Sequence, residues 1–188
     1  MKSFLHLPAG YQESFRVDLQ KNKKQSIIVN VLSVVILALV VGAGLLMNPY
    51  RVCFKKSMMP LVLVVVGLLV YTVLHELIHG IFIRVFSGTR PHYGFTGGFA
   101  YARSEAYFSR THYIIIALSP VILLGTVLAV LCVSSWGTQW FWALYLLEAF
   151  NLSGAAGDFY VSWKFLKQPK DILVYDSGVS MIVYSRGK

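Results

Sequence analysis

Over most of this chain, apolar positions do not alternate with polar ones. They gather into four long runs that carry few charges, at 27–47, 60–86, 113–134 and 139–166. A helix of about 20 apolar residues spans the hydrocarbon core of a bilayer, so each run is expected to be a transmembrane helix. Asn48-Pro49 ends the first run, and Ser119-Pro120 is expected to kink the third. Only the ends and one loop depart from this pattern. Tyr11, Phe15, Val17 and Leu19 sit at odd positions among polar residues, a period of two that reads as a strand. Near the other end, Ile172-Leu173-Val174-Tyr175 and the stretch up to Tyr184 flank Asp176-Ser177-Gly178, a hairpin signal. That hairpin and the first strand are expected to share a small sheet. Segment 87–112 mixes Gly94, Gly97 and Gly98 with Tyr93, Phe95, Phe99 and Tyr101. It suits a turn or short hairpin at the membrane interface, or an extended edge to which a peptide could add as a strand. The expected fold is an all-α membrane protein with four transmembrane helices and a small β element, forming one integral domain over 1–188.

Composition supports the membrane reading. Of the 188 residues, 56% are hydrophobic, and the mean hydropathy is positive, outside the range of an ordinary soluble domain. A net charge of +9 raises the question of nucleic acid. The basic residues, however, cluster beside the apolar runs, and no nucleic-acid-binding motif accompanies them, so no nucleic-acid partner is expected. Of the 17 Lys and Arg, only Arg51, Lys55 and Lys56 lie between the first two runs or on that side of the membrane. The positive-inside rule then puts both termini, 1–26 and 168–188, in the cytosol. The polar first two dozen residues argue for a retained first span rather than a cleaved signal. Cys53 and Cys132 give neither a disulfide framework nor metal-ligand spacing.

The chemistry lies in the second run, which contains His75-Glu76-Leu77-Ile78-His79, an H-E-x-x-H sequence. On a helix, residues four apart share a face, so both imidazoles can hold one Zn²⁺, with Glu76 beside them as general base. Ionisable groups at membrane depth are costly unless something binds them. A catalytic zinc takes three protein ligands and leaves a position for water. By helix rise, His75 and His79 lie roughly 16 and 10 Å from the inner end of their run. Asp158 lies roughly 13 Å from the inner end of the fourth run, which makes it the preferred third ligand. Glu148 lies about three turns further out and is the weaker candidate. The small residues Ser153-Gly154-Ala155-Ala156-Gly157 would let the two helices approach closely. Asn151, on roughly the same face as Asp158, is a candidate to orient a substrate carbonyl or stabilise an oxyanion, or else a partner in an interhelical hydrogen bond. His92 and His112 read as interfacial histidines and His6 as a solvated one.

With H-E-x-x-H in one span and Gly157-Asp158 in the next but one, the layout resembles the three-helix core of site-2-type intramembrane metalloproteases. It is more similar still to a family of small bacterial membrane proteins classed as zincin peptidases, through H-E-x-x-H-G, an aromatic and glycine-containing loop, and Asn151-Leu152-Ser153-Gly154-Ala155-Ala156-Gly157-Asp158. In the site-2 proteases a glycine follows the aspartate. Here Gly157 precedes Asp158 and Phe159 follows it. The resemblance implies a bacterial plasma-membrane peptidase with His75, His79 and Asp158 on zinc and Glu76 as catalytic base, acting near the cytosolic side on a peptide or transmembrane-protein substrate. The alternatives are a zinc-binding sensor, carrier or scaffold without hydrolytic activity, or an inactive peptidase-like protein that binds partners.

Overall fold

The computed structural model describes residues 3–47, 57–96, 99–178 and 180–187. The expectations placed on Asn48-Pro49, Arg51, Cys53, Lys55, Lys56, Gly97 and Gly98 fall outside these residues. The chain runs β1 (Tyr11–Asp18), α1 (Lys23–Met47), α2 (Met59–Ser87), β2 (His92–Thr96), β3 (Phe99–Arg103), β4 (Tyr107–Ser109), α3 (Arg110–Ser134), α4 (Phe141–Gly154), α5 (Ala156–Leu166), β5 (Leu173–Asp176) and β6 (Ser180–Arg186).

Among the described residues three helices, α1, α2 and α3, are long and apolar enough to cross a membrane. Their outward faces stay apolar: Leu39, Leu69, Val73 and Val133 are all about two-thirds exposed or more. The ends of these helices follow from sequence. Pro60 stands in the first turn of α2, where a missing N–H costs nothing. Gly88 closes that helix in a left-handed conformation, its N–H donating to the Arg84 carbonyl at 2.8 Å. Ser109 caps α3 by accepting from the His112 N–H.

The expected fourth helix, 139–166, is not continuous. It is two shorter helices, α4 and α5, which meet at Ala155 (φ −77°, ψ 9°). The bend falls in the small-residue run at 153–157. Little side-chain packing holds a straight helix there, and glycine lowers its propensity. The Ala155 N–H still reaches the Asn151 carbonyl, and the Phe159 N–H reaches Ala155, so the backbone remains bonded through the bend.

The six strands among the described residues lie at one end of the bundle, where α1 and α3 begin and α2 and α5 finish. The expected partnership of the two chain ends is present. An antiparallel sheet runs β1-β6-β5-β4, with Val17 opposite Met181 and Val174 opposite Val183. The addition of β4 was not apparent from the sequence, because three residues are too few to show a period of two. β2 and β3 form a separate antiparallel hairpin within the glycine-aromatic loop. The core lies between sheet and helices. Val17, Phe108, Val174 and Val183 from the strands meet Ile83, Ile116, Val161 and Phe165 from the helices.

Glycines set the helix spacing. At Gly44 a Cβ would strike the Tyr145 ring, and that ring is held in place because its hydroxyl donates to the Val40 carbonyl at 2.7 Å. Gly42, by contrast, has open space around it. Gly44→Ala should therefore push α1 off α4 and cost about 1–3 kcal/mol, lowering the thermal midpoint of the detergent-solubilised protein. Gly42→Ala should leave that midpoint unchanged or raise it, because alanine is the better helix former.

Candidate metal centre

His75 and His79 leave α2 on one face, and Asp158 reaches them from the first turn of α5. The two Nε2 atoms stand 3.2 Å apart. Asp158 Oδ2 is 3.4 Å from His75 Nε2, and Oδ1 is 3.7 Å from His79 Nε2. Ligand atoms at zinc–nitrogen and zinc–oxygen bond lengths in a tetrahedral set stand about 3.3–3.6 Å apart. The two histidines face different oxygens of Asp158, and one ligand atom from each of the three side chains lies within 4.8 Å of the others, near enough for one ion to gather them. They form the one group of three or more metal-ligating side chains found among the described residues.

The outer nitrogens are tied as well. His79 Nδ1 lies 2.8 Å from the Ile116 carbonyl. A carbonyl only accepts, so Nδ1 carries the proton and Nε2 presents its lone pair inward. That carbonyl is available for a local reason. In a regular helix it would accept from the N–H four residues on, but that residue is Pro120, which has none. The Ser119 hydroxyl donates to the same oxygen at 2.9 Å. The residue expected to kink the helix thus frees the Ile116 carbonyl for His79. His75 Nδ1 lies 3.1 Å from the Tyr71 hydroxyl, one turn earlier on α2, and that hydroxyl reaches the Asn151 carbonyl at 3.5 Å. A consistent relay has Nδ1–H donating to the tyrosine oxygen and the phenol donating onward to α4.

Beside this cluster lies a cavity of about 770 Å³. His75, Glu76, His79 and Asp158 all line it. Ala100, Tyr101 and Ala102 of β3 form another wall, with the Ala102 backbone N–H on the side of the Glu76 carboxylate. Gly80, one turn past Glu76, has no room for a Cβ because the Tyr93 hydroxyl lies against it, so the glycine that follows the motif lets the β2–β3 hairpin close onto α2. Asp176 and Gly178, from the β5–β6 turn, complete the enclosure.

Asn151 stands apart from the cavity. It is fully buried, and its Nδ2 donates to the Val121 carbonyl at 3.3 Å and to Glu148 at 3.1 Å, against Gly125 of α3. This is an interhelical hydrogen bond, so its amide is not presented to a substrate. Glu148 shares that contact and lies outside the metal cluster. His112 stacks on Phe86 at 4.3 Å, His92 is exposed opposite Arg103 in the hairpin, and His6 is exposed. Cys132 is a free, buried thiol.

Four participants were missed in the sequence. Tyr71 could have been found from its i, i+4 relation to His75. Ile116, Ala102 and Asp176 act through backbone groups or long-range placement and leave no local signal.

A family model described as putative zincin peptidase matches residues 68–173, more than half of the chain. No curated protein and no solved structure matches it.

His75→Ala and Asp158→Ala should each abolish stoichiometric zinc binding by the purified protein. Pro120→Ala restores an N–H that competes with His79 for the Ile116 carbonyl. It should weaken zinc affinity roughly 10- to 100-fold in chelator competition, without lowering thermal stability. Unchanged affinity would show that this carbonyl does not orient His79.

Proposed function

Because the chain belongs to the family of putative zincin peptidases, we propose that it is a membrane-embedded zinc metallopeptidase that hydrolyses peptide bonds near the cytosolic side of the membrane. One observation carries the reading: His75, His79 and Asp158 each bring a ligand atom within 4.8 Å of the others, and Glu76, which that cluster does not use, lines the same cavity. A purely structural metal site has no need of a free carboxylate there.

His75, His79 and Asp158 would hold the zinc, with Tyr71 and the Ile116 carbonyl keeping the imidazoles in one tautomer. When bound, the ion supplies a Lewis acid for the scissile carbonyl and lowers the pKa of the attacking water. Glu76 takes the proton from that water and returns it to the leaving amine. Among the described residues β3 pairs only with β2, and its cavity-lining stretch offers backbone groups along which an extended substrate can lie. A transmembrane substrate would have to unwind there, because helical peptide groups are shielded by their own hydrogen bonds.

The same reading places the protein in the bacterial plasma membrane as one integral domain. Both termini and the sheet are cytosolic by the Lys/Arg distribution, and α4 with α5 forms an interrupted fourth crossing. Two spans and an aspartate around one ion is also the layout of the site-2-type proteases. The sheet end of the bundle, where α2 finishes and α5 approaches its close, gives water a short path to the cluster.

Glu76→Gln keeps the shape and removes the base. It should retain zinc and lose hydrolysis of a co-expressed single-span substrate by about 10²–10⁴-fold. Processing at the wild-type rate in that variant would remove Glu76 from the mechanism.

A further inference from the structure

The chamber contains a carboxylate that neither metal binding nor proton transfer uses. Asp176 lies at the end of β5, outside the matched residues 68–173, and lines the cavity with Glu76 and Asp158. Its Oδ2 accepts from the Tyr113 hydroxyl at 2.5 Å and its Oδ1 from the Gly178 N–H at 2.7 Å. Each oxygen of a carboxylate has room for two donors, so capacity remains on both. Among the described residues no Lys or Arg is within ion-pair distance of it, and no Lys or Arg lines the cavity. Enclosure pushes the Asp176 carboxyl above its ordinary value, against the pull of its two hydrogen bonds. It is a carboxylate short of a counter-ion.

An unpaired enclosed charge is stabilised by an incoming opposite one. We propose that Asp176 is the specificity determinant of the chamber, accepting a basic side chain, Lys or Arg, of the peptide bound beside the metal cluster.

This rests on the peptidase reading for its biological meaning and deepens it. Transmembrane segments carry Lys and Arg at their cytosolic flank, so a substrate that enters from the membrane toward the sheet end brings such residues to Asp176. The hairpin geometry also fixes the subsite in place. Gly178 has a positive φ of 83°, and Tyr101 of β3 packs where its Cβ would be. The turn that carries Asp176 is thereby joined to the strand beside Glu76.

The test uses the full chain in detergent with zinc, in the Glu76→Gln background so that peptides bind without turnover. The probes are fluorescein-labelled peptide pairs, identical except for arginine or citrulline at one position, with that position moved along the set. Arginine peptides should bind at least roughly tenfold more tightly than their citrulline partners at one position. Asp176→Asn should bring that ratio close to one with zinc content unchanged, and Asp176→Glu should keep most of it. A ratio near one at every position overturns the proposal without any substitution at 176, as does a ratio that survives Asp176→Asn. Cleavage of the same peptides by the wild type is followed in parallel. Preferential binding without cleavage would sink the peptidase reading and leave the subsite standing, whereas cleavage without preference would do the reverse.

Discussion

His75 and His79 stand on a helix whose outward face, with Leu69, Val73 and Leu77, is apolar, so their polar atoms have to be partnered on the inward side. The candidate metal site meets this constraint with a withheld hydrogen bond. Pro120 cannot donate to the Ile116 carbonyl, so that oxygen is left to His79. Tyr71 does the same for His75 from one turn away. With both outer nitrogens engaged, both inner nitrogens point at one place, and Asp158 faces them across the gap between helices. An isolated H-E-x-x-H helix would not do this, because each imidazole could rotate and choose either tautomer.

The rest of the architecture serves to bring α5 and the strands to that place. The 153–157 run has no bulky side chains, so the fourth segment bends at Ala155 and presents Asp158 from a first turn rather than mid-helix. Asn151, on the α4 side of the bend, donates across to the Val121 carbonyl of α3 and to Glu148 one turn earlier on α4, and both side chains pack against Gly125, which ties α4 to α3 beside the bend. Polar residues on the two sides of one bend therefore do different work: α5 supplies the site and α4 supplies the anchorage. The glycine after the second histidine plays a matching part on α2, by admitting Tyr93 and with it the β2–β3 hairpin.

The sheet end turns a metal cluster into a chamber. β3 sets a backbone N–H on the side of the Glu76 carboxylate, and the β5–β6 turn brings Asp176 alongside. Both come from segments remote from the motif. The N-terminal strand β1 matters only indirectly, as the far partner of β6, yet Val17 is among the most buried residues of the chain. The two chain ends thus close the same structure that the membrane helices open.

The chain by itself determined a good deal. Its uncharged runs dictated where helices long enough for a membrane had to form. Strand periodicity at 11–19 and the Asp176-Ser177-Gly178 turn announced a sheet made from both ends. Helix spacing put His75 and His79 on one face, and a depth estimate from helix rise was enough to prefer Asp158 over Glu148. These are local rules or one-dimensional distances, and they survive without knowledge of packing. What the sequence could not decide was which groups meet across elements. The fourth run read as one continuous helix because hydropathy does not register a bend. Asn151 read as substrate-facing or, more readily, as helix-bonding, and the sequence could not settle it because its face depends on how α4 is rotated against α3. The service of the Ile116 carbonyl, the Ala102 N–H and the Asp176 carboxylate exists only once α2, α3, β3 and β5 converge. A backbone atom has no identity in a sequence pattern, and a contact between residues far apart in the chain is a property of the packed fold.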